Sequence, residues 1–237
     1  MPESDPQRWE ASCAPVRFRD RHDAGRRLAR ELLPFFERKD AIVLGLARGG
    51  VPVAFEISRA LHLSLDVFVV RKLGVPSQPE LAMGAIASGG VRVLNEEVLR
   101  WMSKAEDTLA TVTAAELSEL ERRQAQYRQG RPPPGLKDRT VILTDDGLAT
   151  GASMRAAIIA LREQHCAHIV VAVPVGAPAT CAQLAHEADK LVCLLQPKNF
   201  SAVGQAYENF PQTSDAEVRE LLTQSAAASD MGEHSSS

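Results

Sequence analysis

At 237 residues, 45% hydrophobic and 24% charged, the chain fits one large domain, or a domain with appendages, of ordinary soluble globular make-up. Its net charge of −3 lacks the basic excess of a nucleic-acid binder, no apolar run is long enough to span a membrane, and Met1 to Arg19 carries no signal-peptide core. Cys13, Cys166, Cys181 and Cys193 form no Cys-x-x-Cys pair, which argues against a zinc site or a thioredoxin motif and for a reduced, cytoplasmic setting; Cys166 and Cys193 are expected as small core residues.

Residues 1–15 are expected to be disordered or loosely attached. A helix is expected from Asp20 to Phe36, with Ala24, Leu28, Leu32 and Phe35 at helical spacing and Pro34 at its fraying end. Ala41 to Leu46 is a continuous apolar run, as expected of a strand buried on both faces. It ends in Ala47-Arg48-Gly49-Gly50-Val51-Pro52, and a helix runs on to about Leu61. Strand, glycine-rich turn and helix make an anion site at a helix N-terminus, to which Arg48 adds a planar donor fork suited to phosphate oxygens. The next strand is expected at Leu65 to Val70, with Arg71 and Lys72 at its carboxyl end. These two cations open the loop from Leu73 to Glu80, which suggests a mobile cover over an anionic ligand.

Met83 to Ala87 and Val91 to Leu94 flank Ser88-Gly89-Gly90 and predict a β-hairpin. Asn95 is placed to cap a short helix through Met102, and Ser103 to Glu106 has the form of a capping box opening a long helix to about Gln129. The apolar stripe of that helix is narrow, which suits the body's surface or another subunit, so a homo-oligomer stays open. The insertion, about 83–130, ends at Arg131-Pro132-Pro133-Pro134-Gly135.

Val141 to Thr144 then predicts a buried strand, followed by two carboxylates, Asp145 and Asp146, and by the loop Gly147-Leu148-Ala149-Thr150-Gly151-Ala152-Ser153. A helix is expected from Ser153 to about Gln164. Small residues between a strand and a helix leave backbone N–H groups free beside a positive dipole end, a natural phosphate cradle. The carboxylates suit a sugar's hydroxyls, or a divalent metal travelling with a polyphosphate. A Walker lysine and a Gly-x-Gly-x-x-Gly fingerprint are both absent. His168 to Val173 (strand), Ala179 to Ala188 (helix) and Lys190 to Leu195 (strand) complete an alternation that predicts an α/β fold, a mainly parallel sheet with helices on both faces. Ligands of such sheets bind beyond the carboxyl ends of the strands, where Arg48, Arg71, Lys72, Asp145 and Asp146 are all expected. Phe200, Tyr207 and Phe210 are concentrated after the last strand in a chain poor in aromatics; Thr213 to Glu217 caps a final helix through Leu222, and residues 224–237 are expected to be disordered.

The order strand–acid–acid–Thr-Gly-small-Ser resembles the motif that binds phosphoribosyl pyrophosphate in type I phosphoribosyltransferases. The resemblance spans roughly Phe18 to Leu222, within a single domain at 16–222, and is to the stand-alone bacterial group whose acceptor is not established. It implies transfer of a 5-phosphoribosyl group from phosphoribosyl pyrophosphate to a nucleobase or small amine, with Mg²⁺ carried by the substrate near Asp145 and Asp146. By that resemblance Asp145 and Asp146 are the catalytic pair, with Asp146 as a base near the acceptor, and Gly147 to Ser153 hold the 5-phosphate. Arg48, Gly49, Gly50, Arg71 and Lys72 face pyrophosphate, and Phe200, Tyr207 and Phe210, in the segment at about 196–222, serve the acceptor. Gly147 departs from the family, which often has a larger apolar residue there. A non-catalytic phosphoribosyl pyrophosphate or nucleotide-binding regulator, and a phosphosugar hydrolase, stand as alternatives.

Overall fold

The computed structural model describes residues 17–102 and 105–234. The expectations for residues 1–15, for Cys13 and for the capping box at Ser103 lie outside the described residues. Asp20 caps α1 (Arg21–Glu31) by accepting the Asp23 N–H at 2.7 Å, and a 3₁₀ turn at Leu33–Phe35 takes the place of a longer helix. Strand β1 (Ala41–Leu46) is buried along its whole length, and α2 (Gly50–Leu61) follows the glycine turn.

Strand β2 (Ser64–Phe68) is shorter than its apolar run. Val70 opens a separate strand, β3 (Val70–Val75), which pairs antiparallel with β4 (Gln78–Ala87). This corrects two expectations. Arg71 and Lys72 are not at the carboxyl end of a parallel strand but inside the β3 ladder, opposite Ile86 and Ala85, and the segment expected as a loop from Leu73 to Glu80 belongs to the β3–β4 hairpin. Strand β5 (Arg92–Leu94) completes this small antiparallel sheet, and Asn95 caps α3 (Glu96–Arg100) through the Val98 N–H.

The long helix α4 (Ala105–Arg128) lies on the chain's own body, where Leu120 and Tyr127 are buried against β3, β4 and the C-terminal helix. Strand β6 (Thr140–Thr144), α5 (Ala152–Glu163), β7 (His168–Val175), α6 (Pro178–Leu184) and β8 (Lys190–Leu195) follow in alternation. The last helix, α7 (Asp215–His234), continues past Leu222, and residues 235–237 lie outside the described residues. Val218, Leu221 and Leu222 bury its first turns in the core.

The main sheet is wholly parallel, in the order β2-β1-β6-β7-β8. Side chains alternate between its faces. Val43, Ile142 and Val170 join one core with α1, α2, α4 and α7, while Leu44, Leu143 and Val171 join another with α5 and α6. Both faces are therefore covered. Among the described residues no helix is long and apolar enough to cross a membrane.

Candidate donor site at the carboxyl ends of β1 and β6

Adjacent parallel strands bring their following turns together. β1 and β6 pair in register from Ala41 opposite Thr140 to Gly45 opposite Thr144. The turn Ala47–Gly50 consequently lies against Asp145 and Asp146. The contact is close enough to require glycine twice. A Cβ on Gly49 would fall on the Asp146 carboxylate, and one on Gly50 would meet the Thr144 carbonyl oxygen at 2.6 Å and Asp145 Cα at 2.9 Å.

The two carboxylates have different surroundings. Asp145 Oδ1 accepts the Asp146 N–H at 2.8 Å. Burial, then the neighbouring Asp146 charge, pushes its pKa well above the usual carboxylate range. Asp146 is also raised by burial, but Arg21 opposes the shift. The Arg21 Nε and Nη2 both stand 2.8 Å from Asp146 Oδ2. Arg21 was not among the residues the sequence singled out. A cation in the first turn of a helix reads as solvated, yet this one is buried and its partners come from far along the chain.

After Asp146 the backbone passes Gly147, where a Cβ would meet Val203 Cγ1 at 2.6 Å and Val175 Cγ1 at 2.9 Å. The space a larger residue would fill is taken by Val203, which accounts for the glycine. The Leu148 N–H donates to the Val175 carbonyl at 2.8 Å, so it does not face a phosphate as expected. Its carbonyl accepts from Ala177, and the residue is tied to β7. The loop beyond is open: Ala149, Thr150, Ala152 and Ser153 are exposed. Gly151 caps α5 with φ 72°, in the left-handed region, and offers no side-chain cap. The N-cap residue thus satisfies none of the first-turn N–H groups of α5, and the Ala152 N–H has a long contact, 3.5 Å, to the Thr150 hydroxyl oxygen. Thr180 at the start of α6 braces the loop by donating to the Ala149 carbonyl at 2.7 Å.

Arg48 is half-buried, and its Nη1 lies 3.6 Å from Asp215 Oδ1 at the start of α7. Asp215 also accepts the Tyr127 hydroxyl at 2.6 Å. Burial and this bond push the Tyr127 pKa up to about 12. Arg71 is turned to α4, with its guanidinium 2.6 Å from Glu116 Oε2. Lys72 is exposed on β3. The structure thus gathers Gly49 and Gly50 at the acidic motif, sets the Arg48 guanidinium near Asp215 and gives Arg71 a different partner.

The three aromatics are not a free stacking platform. Tyr207 is buried, stands 5.5 Å from the Phe18 ring and donates its hydroxyl to the Asp146 carbonyl at 2.6 Å. Phe210 has the Arg21 guanidinium 3.9 Å from its centroid and the Tyr207 ring stacked on it at 4.7 Å. Both rings pack on the protein itself, Tyr207 against Phe18 and Phe210 against Arg21. Phe200 is partly buried against the same cluster.

No group of three or more His, Cys, Asp or Glu converges among the described residues. Two adjacent carboxylates suit an ion that keeps several waters and is held largely by substrate oxygens, as Mg²⁺ is, rather than an all-protein cage.

Comparison with known proteins gives a consistent result. The family model described as phosphoribosyl transferase domain matches residues 19–210. "Putative phosphoribosyl transferase MT0597" and "Putative phosphoribosyl transferase Rv0571c", from two Mycobacterium tuberculosis strains, are each 49% identical over 205 residues. Those matches cover 86% of this chain and 46% of each relative, so the chain spans about half the length of the curated relatives it matches. The crystal structure of TT1426 from Thermus thermophilus superposes with a TM-score of 0.77 at 42% identity, covering 88% of this chain and 98% of that one.

Proposed function

This chain belongs to the phosphoribosyl transferase domain family, and from that premise we propose that it transfers a 5-phosphoribosyl group from phosphoribosyl pyrophosphate to a nucleophilic acceptor, a nucleobase or small amine, with release of pyrophosphate. One observation carries the reading: the glycine turn after β1 and the acidic motif after β6 are packed against each other, with an uncapped helix start beside them.

The reaction breaks the bond between the anomeric carbon and pyrophosphate and forms one to the acceptor. Positive charge grows on the sugar carbon and negative charge on the leaving group. The protein's task is to fix the sugar and to stabilise the departing charge. Backbone N–H groups of Thr150 to Ser153, with the Thr150 and Ser153 hydroxyls, hold the 5-phosphate at the N-terminus of α5. Asp145, beside Asp146, faces the ribose hydroxyls. Arg48 and the Gly49–Gly50 turn meet pyrophosphate, for which Arg48 exchanges its loose contact with Asp215. Mg²⁺, when bound, offsets pyrophosphate charge, and Asp145 and Asp146 are the carboxylates that would hold it.

Pyrophosphate release is the test. The protein is incubated with phosphoribosyl pyrophosphate and Mg²⁺ across a panel of nucleobases and small amines. Release that depends on one acceptor supports the transferase and identifies its substrate. Release without any acceptor would replace it with a hydrolase, and binding with no release across the panel would replace it with a sensor.

A further inference from the structure

We propose that Arg21 is a positioning residue of the donor site, holding Asp146 in place and neutralising it so that a polyphosphate does not meet its bare charge. The inference rests on the reading above, in which the acidic motif meets the phosphoribosyl pyrophosphate donor.

The contacts form a closed ring. Arg21 Nε and Nη2 both reach Asp146 Oδ2 at 2.8 Å. The Arg21 Cζ lies 3.9 Å from the Phe210 centroid, Phe210 stacks on Tyr207 at 4.7 Å, and the Tyr207 hydroxyl returns to the Asp146 carbonyl at 2.6 Å. Side chain and main chain of Asp146 are thus gripped from the same cluster. Arg21 Nη1 is anchored in addition by the Pro211 carbonyl at 2.6 Å. The side chains of Arg21 and Asp146 are only 10% and 16% exposed, so the pair sits where charge is weakly screened. A fixed fork of donors on one oxygen also stops the carboxylate from rotating. Asp146 is also seated against Gly49, in the turn that carries Arg48.

Two adjacent carboxylates at a strand end repel each other and any phosphorylated ligand. Arg21 is the cation in contact with this pair among the described residues, and Asp145 has no ion pair there. Its removal would leave the Asp146 charge uncompensated beside Asp145 at the donor site.

A double-mutant cycle tests this. Wild type, Arg21→Met, Asp146→Asn and the double variant are titrated calorimetrically with phosphoribosyl pyrophosphate and Mg²⁺, and separately with ribose 5-phosphate. Arg21→Met is expected to weaken the pyrophosphorylated ligand on the order of tenfold, and to cost much less once Asp146 is already Asn, because contacting residues couple. It is also expected to weaken phosphoribosyl pyrophosphate more than ribose 5-phosphate, which a merely structural arginine would affect alike. Arg21→Lys, which keeps the charge but not the fork, falls between and takes the place of Arg21→Met if that variant does not fold. Losses that simply multiply in the double variant would overturn the role of Arg21 while leaving the donor site standing. Failure of folded wild type to bind phosphoribosyl pyrophosphate would overturn the donor reading itself, and this inference with it.

Discussion

Gly49 shows how closely the site is built. A Cβ there would fall on the Asp146 carboxylate, whose Oδ2 is already held by Arg21. Gly49→Ala is therefore expected to displace either the turn or the carboxylate, and to weaken Mg²⁺-dependent binding of phosphoribosyl pyrophosphate by on the order of tenfold or more. Calorimetry on the folded variant checks this; unchanged affinity would separate the turn from the site. Gly147 has a packing reason instead. Gly147→Ala should cost about 1–3 kcal/mol through overpacking on Val203 and Val175. Denaturant unfolding should show Val203→Ala recovering part of that loss, and no recovery would mean that Val203 does not set the limit. At this scale the sequence was partly legible. Asp145, Asp146, Gly49 and Gly50 stood out because chemistry and conformational freedom mark them. Arg21 did not, because its burial comes from Phe210 and Pro211, nearly the whole chain away.

Among the elements, β1, α2 and β8 have the bounds that their apolar runs and breakers indicate. The division between β2 and β3 was illegible for a physical reason. Val67 to Val70 is an unbroken β-branched and aromatic run, and the same propensity serves a parallel strand and an antiparallel one. The chain changes sheets at Val69 without a glycine or proline to mark it, which takes Arg71 and Lys72 into a ladder. Helices α1 and α2 are joined by a titratable pair, His22 Nδ1 and Glu56 Oε1 at 2.9 Å. The hydrogen bond to Glu56 raises the His22 pKa above 6.5, against the opposing effect of burial. A raised folded-state pKa means that the folded protein holds its proton more tightly than the unfolded chain does. The stabilisation is full below pH 6.5 and is lost as pH rises through the folded value. Thermal unfolding of His22→Gln should therefore lie below wild type at about pH 6 and approach it by about pH 8.5. A gap that is constant over this range would assign His22 no ionic role.

Taken whole, the molecule uses its C-terminal third to finish a site begun near its start. Val203 packs on Gly147, Tyr207 bonds to Asp146, Pro211 holds Arg21, and Asp215 meets Arg48 before α7 returns to the core on Val218 and Leu222. The long helix α4 joins this assembly through Tyr127 and Asp215, which gives the insertion a structural part in supporting the turn that carries Arg48. The sheet architecture was legible in the alternation of strands and helices. The packing of the aromatic segment was not, since composition does not show that Phe210 stacks on an arginine. The measurement that tests the account most directly is calorimetric titration of folded wild-type protein with phosphoribosyl pyrophosphate, with and without Mg²⁺. Saturable one-site binding that strengthens with Mg²⁺ and is abolished in Asp145→Asn/Asp146→Asn is the predicted result. No binding, or binding that survives loss of both carboxylates, would contradict it.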